Sequence, residues 1–214
     1  MSLNELRYLA IEGVIGVGKT SLVHLLSRRI GGKLILEKHD ENPFLTDFYR
    51  DPARYAFQTQ LFFLLSRFQQ QQEISQQDIF YPRIISDYIF AKDRIFAHLN
   101  LEDRELQLYE IVFATLEHNI PKPDLVIYLQ ASVDRLMQNI RKRGRSYEKH
   151  MNDEYIQALC EAYDHFFFHY HESPLLVVNS TKLDFVHKES DLATLLQQIE
   201  RHPGGVIFFN PNID

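Results

Sequence analysis

The stretch GVIGVGKTS, residues 13–21, gathers Gly13, Gly16, Gly18, Lys19, Thr20 and Ser21 into a pattern suited to phosphate chemistry. Gly13, Gly18, Lys19 and Thr20 satisfy G-x-x-x-x-G-K-[ST]. Glycines let successive backbone N–H groups turn toward phosphate oxygens, and a helix N-terminus behind them adds positive potential. In such a loop the lysine reaches the β- and γ-phosphates, and the threonine hydroxyl sits on a metal ion. The expected ligands are ATP and Mg2+, the latter near Thr20. The loop alone does not specify what the triphosphate is used for.

Two carboxylates extend the chemistry. Glu37 closes the apolar run KLILE and Asp87 closes RIISD. Ligands of open α/β sheets bind beyond the carboxyl ends of the strands. An acid at the end of RIISD resembles a Walker B aspartate and can hold Mg2+ directly or through water. The other acid can orient a substrate hydroxyl toward the γ-phosphate. Taken singly, each would fit a helix cap or loop acid equally well. A third cluster, RKRGRSYE, carries Arg141, Lys142, Arg143 and Arg145 around Gly144. A charge run is usually a solvated face. Between two helices of an acidic chain, it also suits an arginine lid over about 141–150 that closes on transferring phosphates.

These groups need a scaffold to bring them together. Strands are expected at 8–13, 33–37, 83–87, 125–129 and 175–179, with helices near 19–30, 53–75, 101–119, 132–143, 153–171 and 189–201. Near-continuous apolar strands alternating with helices predict a parallel sheet buried on both faces. The fold expected is therefore α/β, a three-layer arrangement with about five strands flanked by helices, as a single domain over 1–214. PKPD at 121–124 separates a helix from a strand, and QQQQ at 69–72 reads as a solvated helical face.

The bulk properties narrow the partners. With 214 residues and a net charge of −6, the chain suits single nucleotides rather than a nucleic-acid polymer or an anionic membrane. Cys160 is the only cysteine, which excludes an intrachain disulfide and a cysteine-built metal site. It falls in a helical pattern and reads as a core thiol. No signal-peptide or transmembrane run is evident, so a cytoplasmic location is expected.

Taken in order, these segments resemble the deoxynucleoside kinase family. The likeness runs through GVIGVGKTS, the strand-end Glu37, NPFLTDFYRDPARYAFQTQLFFLLSR at 42–67, SDYIFAKDRIFA at 86–97 and the lid RKRGRSYE. It implies a three-layer P-loop kinase fold and transfer of a phosphoryl group to the 5′-hydroxyl of a deoxynucleoside, with Glu37 accepting or orienting that hydroxyl. It also implies Tyr49 and Glu148 at the sugar 3′-hydroxyl, and Gln60 on the base edge. Arg67 and Asp93 would pair near the base, with Arg143 and Arg145 acting from the lid beside Lys19. Helical spacing puts Gln60, Leu64 and Arg67 on one face, expected to look into one pocket. None of Phe44, Phe48, Phe57 and Phe63 is singled out as stacking on the base.

The chain departs from the family in two places. Tyr88 stands where many members have an arginine, and Lys38 follows Glu37 where a proline is usual. A missing cation near transferring phosphates should cost catalysis unless another replaces it. Arg141, Arg94 and Arg83 are the candidates. In the family an Arg/Asp pair like Arg67/Asp93 accompanies purine or cytidine substrates more than thymidine, and the resemblance thereby implies a leaning toward a purine base. Two alternatives stand beside the leading reading: a nucleoside-monophosphate kinase of the thymidylate type, and a P-loop nucleotide-binding protein without transferase activity. YEIVFATLEHNI at 109–120 would serve either a homodimer face or the monomer core.

Overall fold

The computed structural model describes residues 5–75 and 83–211. In chain order the elements are β1 (Tyr8–Gly13), α1 (Lys19–Ile30), β2 (Lys33–Ile35), α2 (Leu45–Arg50), α3 (Pro52–Ser75), β3 (Ile84–Ser86) and α4 (Lys92–Asn100). There follow α5 (Asp103–Glu117), β4 (Leu125–Gln130), α6 (Val133–Arg143), α7 (Asp153–Phe168), β5 (Leu175–Asn179), α8 (Glu189–Glu200) and β6 (Val206–Phe209). Single 3-10 turns lie at His39–Glu41 and Ser146–His150.

The six strands form one sheet in the order β2-β3-β1-β4-β5-β6, and every pair is parallel. All six residues of β1 are buried, as are the first five of β4. Successive strand side chains point to opposite faces, so burial of both sets means that helices cover both faces. Leu22, Val23 and Leu26 of α1, Ile156, Leu159 and Tyr163 of α7, and Leu192, Leu195 and Ile199 of α8 join this core. A second cluster, formed by Leu64, Phe90, Ala97, Tyr109 and Phe113, joins α3, α4 and α5. Its centre is the Phe90–Phe113 stack at 5.0 Å.

The sheet positions the site by its strand order. From β1 the chain runs to the edge at β2 and returns through β3. It then crosses to the far side of β1 with β4. The order reverses around β1, so the loops after β1 and β3 meet at the carboxyl edge, where such sheets bind ligands.

Five strands and six helices fall where the sequence places them, with three kinds of difference. β6 adds a sixth strand from VIFF, an edge strand whose Val206 and Phe208 remain exposed. α2 and α4 lie inside the segments 42–67 and 86–97. β2 ends at Ile35, two residues before Glu37. The chain leaves the ladder there because its polar groups go elsewhere: Leu36 O accepts from Gln70 Nε2 at 2.9 Å, and Glu37 N–H donates to Asp87 Oδ1 at 2.8 Å. The first of these bonds corrects the solvated reading of QQQQ. Gln69 and Gln72 are exposed, but Gln70 and Gln71 are buried. A buried amide needs partners, and Gln71 finds one in the Tyr8 hydroxyl at 3.4 Å.

Candidate active site

The phosphate loop joins β1 to α1, and its glycines are dictated by close packing. Gly16 has φ +87°, and a Cβ there would lie 2.8 Å from Leu136 O and 2.8 Å from Ile140 Cγ1, both on α6. Gly13 has φ +148°, with Leu129 O only 2.5 Å from where a Cβ would sit. Asn139 Nδ2 donates to Gly16 O at 2.8 Å, so α6 both crowds and anchors the loop.

Lys19 Nζ donates to Gly13 O at 2.6 Å, across the loop's own mouth. Burial lowers its pKa to about 8, helped by the Lys92 charge and opposed by Glu12, Glu37 and Asp87. The Thr20 hydroxyl donates to Asp87 Oδ2 at 2.6 Å. Asp87 thereby ties the loop to the segment carrying Glu37. The residues expected from three separate strand ends are joined by hydrogen bonds. Thr20 and Asp87 present adjacent hard oxygens, the donor chemistry that suits Mg2+. Among the described residues no group of three or more His, Cys, Asp or Glu could hold a metal.

Glu37 sits at the centre of a buried ionic chain. Its Oε1 accepts from Arg67 Nη2, and its Oε2 accepts from Lys92 Nζ at 2.8 Å. Arg67 Nη1 in turn donates to Asp93 Oδ1. Burial pushes the Glu37 carboxyl up, but the Arg67 and Lys92 charges and hydrogen bonds outweigh it and hold it well below the usual range. Asp93 goes the other way: burial raises it to about 7 against the pull of Arg67. One guanidinium between two carboxylates thus stabilises the charge mainly on Glu37, the one that Lys92 also supports.

A cavity of about 780 Å³ opens over these groups. The loop residues 15–21 line it together with Glu37, Tyr49, Gln60, Arg67, Asp87, Arg143, Arg145 and Glu148. Three expected residues lie outside this lining: Gly13 at the end of β1, Asp93 and Leu64. Asp93 is fully buried beneath Arg67. Leu64 shares the spacing of Gln60 and Arg67 but turns into the cluster with Phe90 and Phe113. That corrects the expectation that all three face the pocket: the face divides because the second core claims its apolar member. Among the phenylalanines, Phe48 and Phe63 line the cavity, and the Arg67 guanidinium lies 4.7 Å from the Phe63 ring centroid.

The basic segment folds over the cavity. Gly144, in a left-handed conformation at φ 68°, ends α6. Arg143 Nη2 donates to Glu148, and Arg145 lies 3.7 Å from the same carboxylate. Tyr147 stacks on Tyr49 with ring centroids 6.1 Å apart, and its hydroxyl donates to Asp40 Oδ1 at 3.1 Å. The basic segment therefore docks on the cavity wall at Tyr49 through an aromatic residue as well as carrying arginines. Tyr147, Asn139 and Lys92 were all missed by sequence reasoning. Tyr147 and Lys92 lie inside quoted motifs, so the signal was present but overshadowed by neighbouring charges. Cys160 is half-buried and its thiol is raised by burial to about 11, in keeping with a packing role.

Known proteins resemble this chain over most of its length. The deoxynucleoside kinase family model matches residues 9–202. A deoxyguanosine kinase of Bacillus subtilis (strain 168) is 33% identical over 205 residues, which cover 92% of this chain and 98% of that protein. A deoxyadenosine kinase of Dictyostelium discoideum is 38% identical over 162 residues, covering 74% of this chain and 66% of that protein. Among solved structures, deoxyadenosine kinase from M. mycoides with bound dATP superposes with a TM-score of 0.79 at 26% identity, covering 90% of this chain and 98% of that one. With the loop, the strand-end acids and the lid in one cavity, and with matches of this extent, the chain belongs to the deoxynucleoside kinase family.

Proposed function

We propose that the protein transfers the γ-phosphoryl group of ATP to the 5′-hydroxyl of a deoxynucleoside, with purine deoxynucleosides favoured. The observation that carries this reading is Glu37, a carboxylate kept ionised by Arg67 and Lys92 in the same cavity as Lys19 and Thr20. An ionised carboxylate accepts a hydrogen bond from a neutral alcohol and so fixes its direction. The 5′-oxygen bonds to the γ-phosphorus as the bond to the β,γ-bridging oxygen breaks. That oxygen keeps the electron pair and leaves as part of ADP, while the hydroxyl proton passes late to Glu37. A loose transition state needs little base strength, so a carboxylate with a depressed pKa suffices.

The other roles follow the cavity walls. Lys19 and the loop N–H groups cradle the donor phosphates, with Arg143 and Arg145 facing them from the lid. Thr20 and Asp87 would hold Mg2+, which supplies charge neutralisation on the phosphate oxygens. Tyr49 and Glu148 bind the 3′-hydroxyl, and Gln60 reads the base edge, backed by Arg67 on Asp93. The names of the relatives, deoxyguanosine and deoxyadenosine kinases, support the purine preference. A monophosphate acceptor would demand cations for its own phosphate on the acceptor side, whereas Arg67 there is already held between two carboxylates.

The same reading includes a single domain, a cytoplasmic location and a homodimer. Leu108 and Ile111 of α5 are 51% and 66% exposed while Tyr109 and Phe113 of the same helix are buried, so the stripe has an outer face to share. Light scattering that returns one chain's mass would remove the dimer. The decisive experiment for the function is an ADP-release assay over the four common deoxynucleosides and then their monophosphates, with ATP and Mg2+. Turnover with deoxyguanosine or deoxyadenosine above the pyrimidines is expected. Turnover with monophosphates alone would replace the reading with the thymidylate-type kinase. No acceptor-dependent turnover would leave a nucleotide-binding protein.

A further inference from the structure

The cavity contains a buried cation that the expected constellation does not account for. Tyr88, in place of the family arginine, is fully buried, and its hydroxyl donates to Gln70 Oε1 at 3.0 Å. It brings no positive charge to the cavity. The substitutes expected from sequence lie elsewhere. Arg83 Nε donates to Leu6 O at 2.8 Å, ahead of the first residues of β1 and β3 and at the far edge of the sheet. Arg94 is engaged by Glu110 at 2.9 Å and Glu117 at 3.7 Å on α5. Arg141 is largely exposed, 3.6 Å from Asp153. None of these arginines lines the cavity.

Lys92 does. It opens α4, one helical turn beyond Tyr88 in sequence, and is only 3% exposed. Its Nζ lies 2.8 Å from Glu37 Oε2 and 5.6 Å from the centroid of the Phe96 ring. Lys92 is thus on the floor that Lys19, Thr20, Glu37 and Asp87 share. A purely structural partner for Glu37 would be redundant, because Arg67 already supplies one. It would also be poorly placed, since the Lys92 charge acts on Lys19 and helps to depress it. Two ammonium groups facing one space repel each other until an anion lies between them, and a transferring phosphoryl group is such an anion.

We propose that Lys92 is a catalytic residue: its ammonium group stabilises the phosphoryl group in flight between the donor and the hydroxyl on Glu37, supplying from α4 the charge that position 88 lacks. This rests on the phosphotransferase reading given above.

The test compares Lys92→Gln, Lys92→Met and Lys92→Arg with wild type, after melting curves establish that each is folded. Glutamine can still bond to Glu37 but carries no charge. The expected loss in kcat for Lys92→Gln and Lys92→Met is about 100- to 1,000-fold, with KM for both substrates within about threefold and Lys92→Arg recovering at least about a tenth of wild-type kcat. A glutamine variant within about threefold of wild-type kcat, or one that raises only the acceptor KM, would overturn the proposal and leave Lys92 as a brace for Glu37. If the methionine variant does not fold, the glutamine variant decides by the same criterion. If wild type phosphorylates no deoxynucleoside, the function fails first. Calorimetry then judges Lys92 separately: the ratio of ATP to ADP affinity should fall about tenfold in Lys92→Gln, and an unchanged ratio would overturn the assignment.

Discussion

Glu37→Gln tests both the chemistry and the electrostatics of the site. The carboxylate binds two cations whose side chains are each 4% exposed. An amide offers one acceptor oxygen and a donating NH2 group, so it can serve one of them and must face the other with a donor. Breaking a buried pair from one side costs about 3–5 kcal/mol, because the remaining charge is left uncompensated. Asp93 softens this loss. Its proton, held with a pKa of about 7, is released more readily once the neighbouring negative charge is gone, returning a counter-charge to Arg67. The destabilisation should therefore lie near the low end, about 3 kcal/mol. For a chain of this size that is a fall in Tm of roughly 6–12 °C. Turnover should drop by about 100-fold or more, since the hydroxyl loses both its proton acceptor and its guide. ATP affinity should stay near wild type because the loop's hydrogen bonds, from Lys19 to Gly13 and from Thr20 to Asp87, do not use the Glu37 side chain. Differential scanning fluorimetry, an ATP titration and coupled ADP release measure the three quantities on one sample. Turnover within about threefold of wild type would refute the role given to Glu37. An unchanged Tm would refute the ionic accounting even if turnover fell.

Other perturbations address the loop, the base side and the lid. Gly16→Ala forces a side chain into positive φ and within 2.8 Å of Leu136 O; a stability loss of about 2–4 kcal/mol and weakened ATP binding are expected, checked by denaturant melts and calorimetry. Asp93 is raised in the folded state to about 7 from an ordinary 3.8, so between those values the folded chain holds a proton that the unfolded chain releases. Wild-type stability relative to Asp93→Asn should therefore fall as pH rises through that window and level off above it. A difference that grows with pH would contradict the burial argument. Tyr147→Ala removes the stack on Tyr49 and the bond to Asp40; the acceptor KM should rise by about 5- to 20-fold while the ATP KM holds, as measured by initial rates.

Much of the scaffold was legible because its signals are local. The β1 and β4 runs are apolar throughout, as central parallel strands must be. The loop motif is contiguous, and Gly144 ends α6 as glycine commonly does. What escaped depends on long-range partners. Gln70 and Gln71 look like a polar tract, and only Leu36, Tyr88 and Tyr8 across the fold reveal them as buried braces. Leu64 has the spacing of a pocket residue, yet the competing core on α4 and α5 claims it. Lys92 lies between Ala91 and Asp93 in a segment whose acid and arginine draw attention, and nothing local says that its ammonium group reaches Glu37, 55 positions earlier. β6 is short, and its residues alternate between exposed and half-buried, so its apolar run carries little pattern.

The packing of Gly16 against Leu136 and Ile140, with Asn139 bonded to its carbonyl, also limits how substrates enter. A helix wedged onto the cradle cannot lift without distorting the cradle itself. If the basic segment opens to admit substrates, as the proposed function requires, it should pivot at Gly144, where α6 ends, with its two arginines on opposite sides of that point. Arg143 would then stay with α6, and Arg145 would move with Tyr147. Faster amide exchange along α6 than along 145–149 would contradict this division.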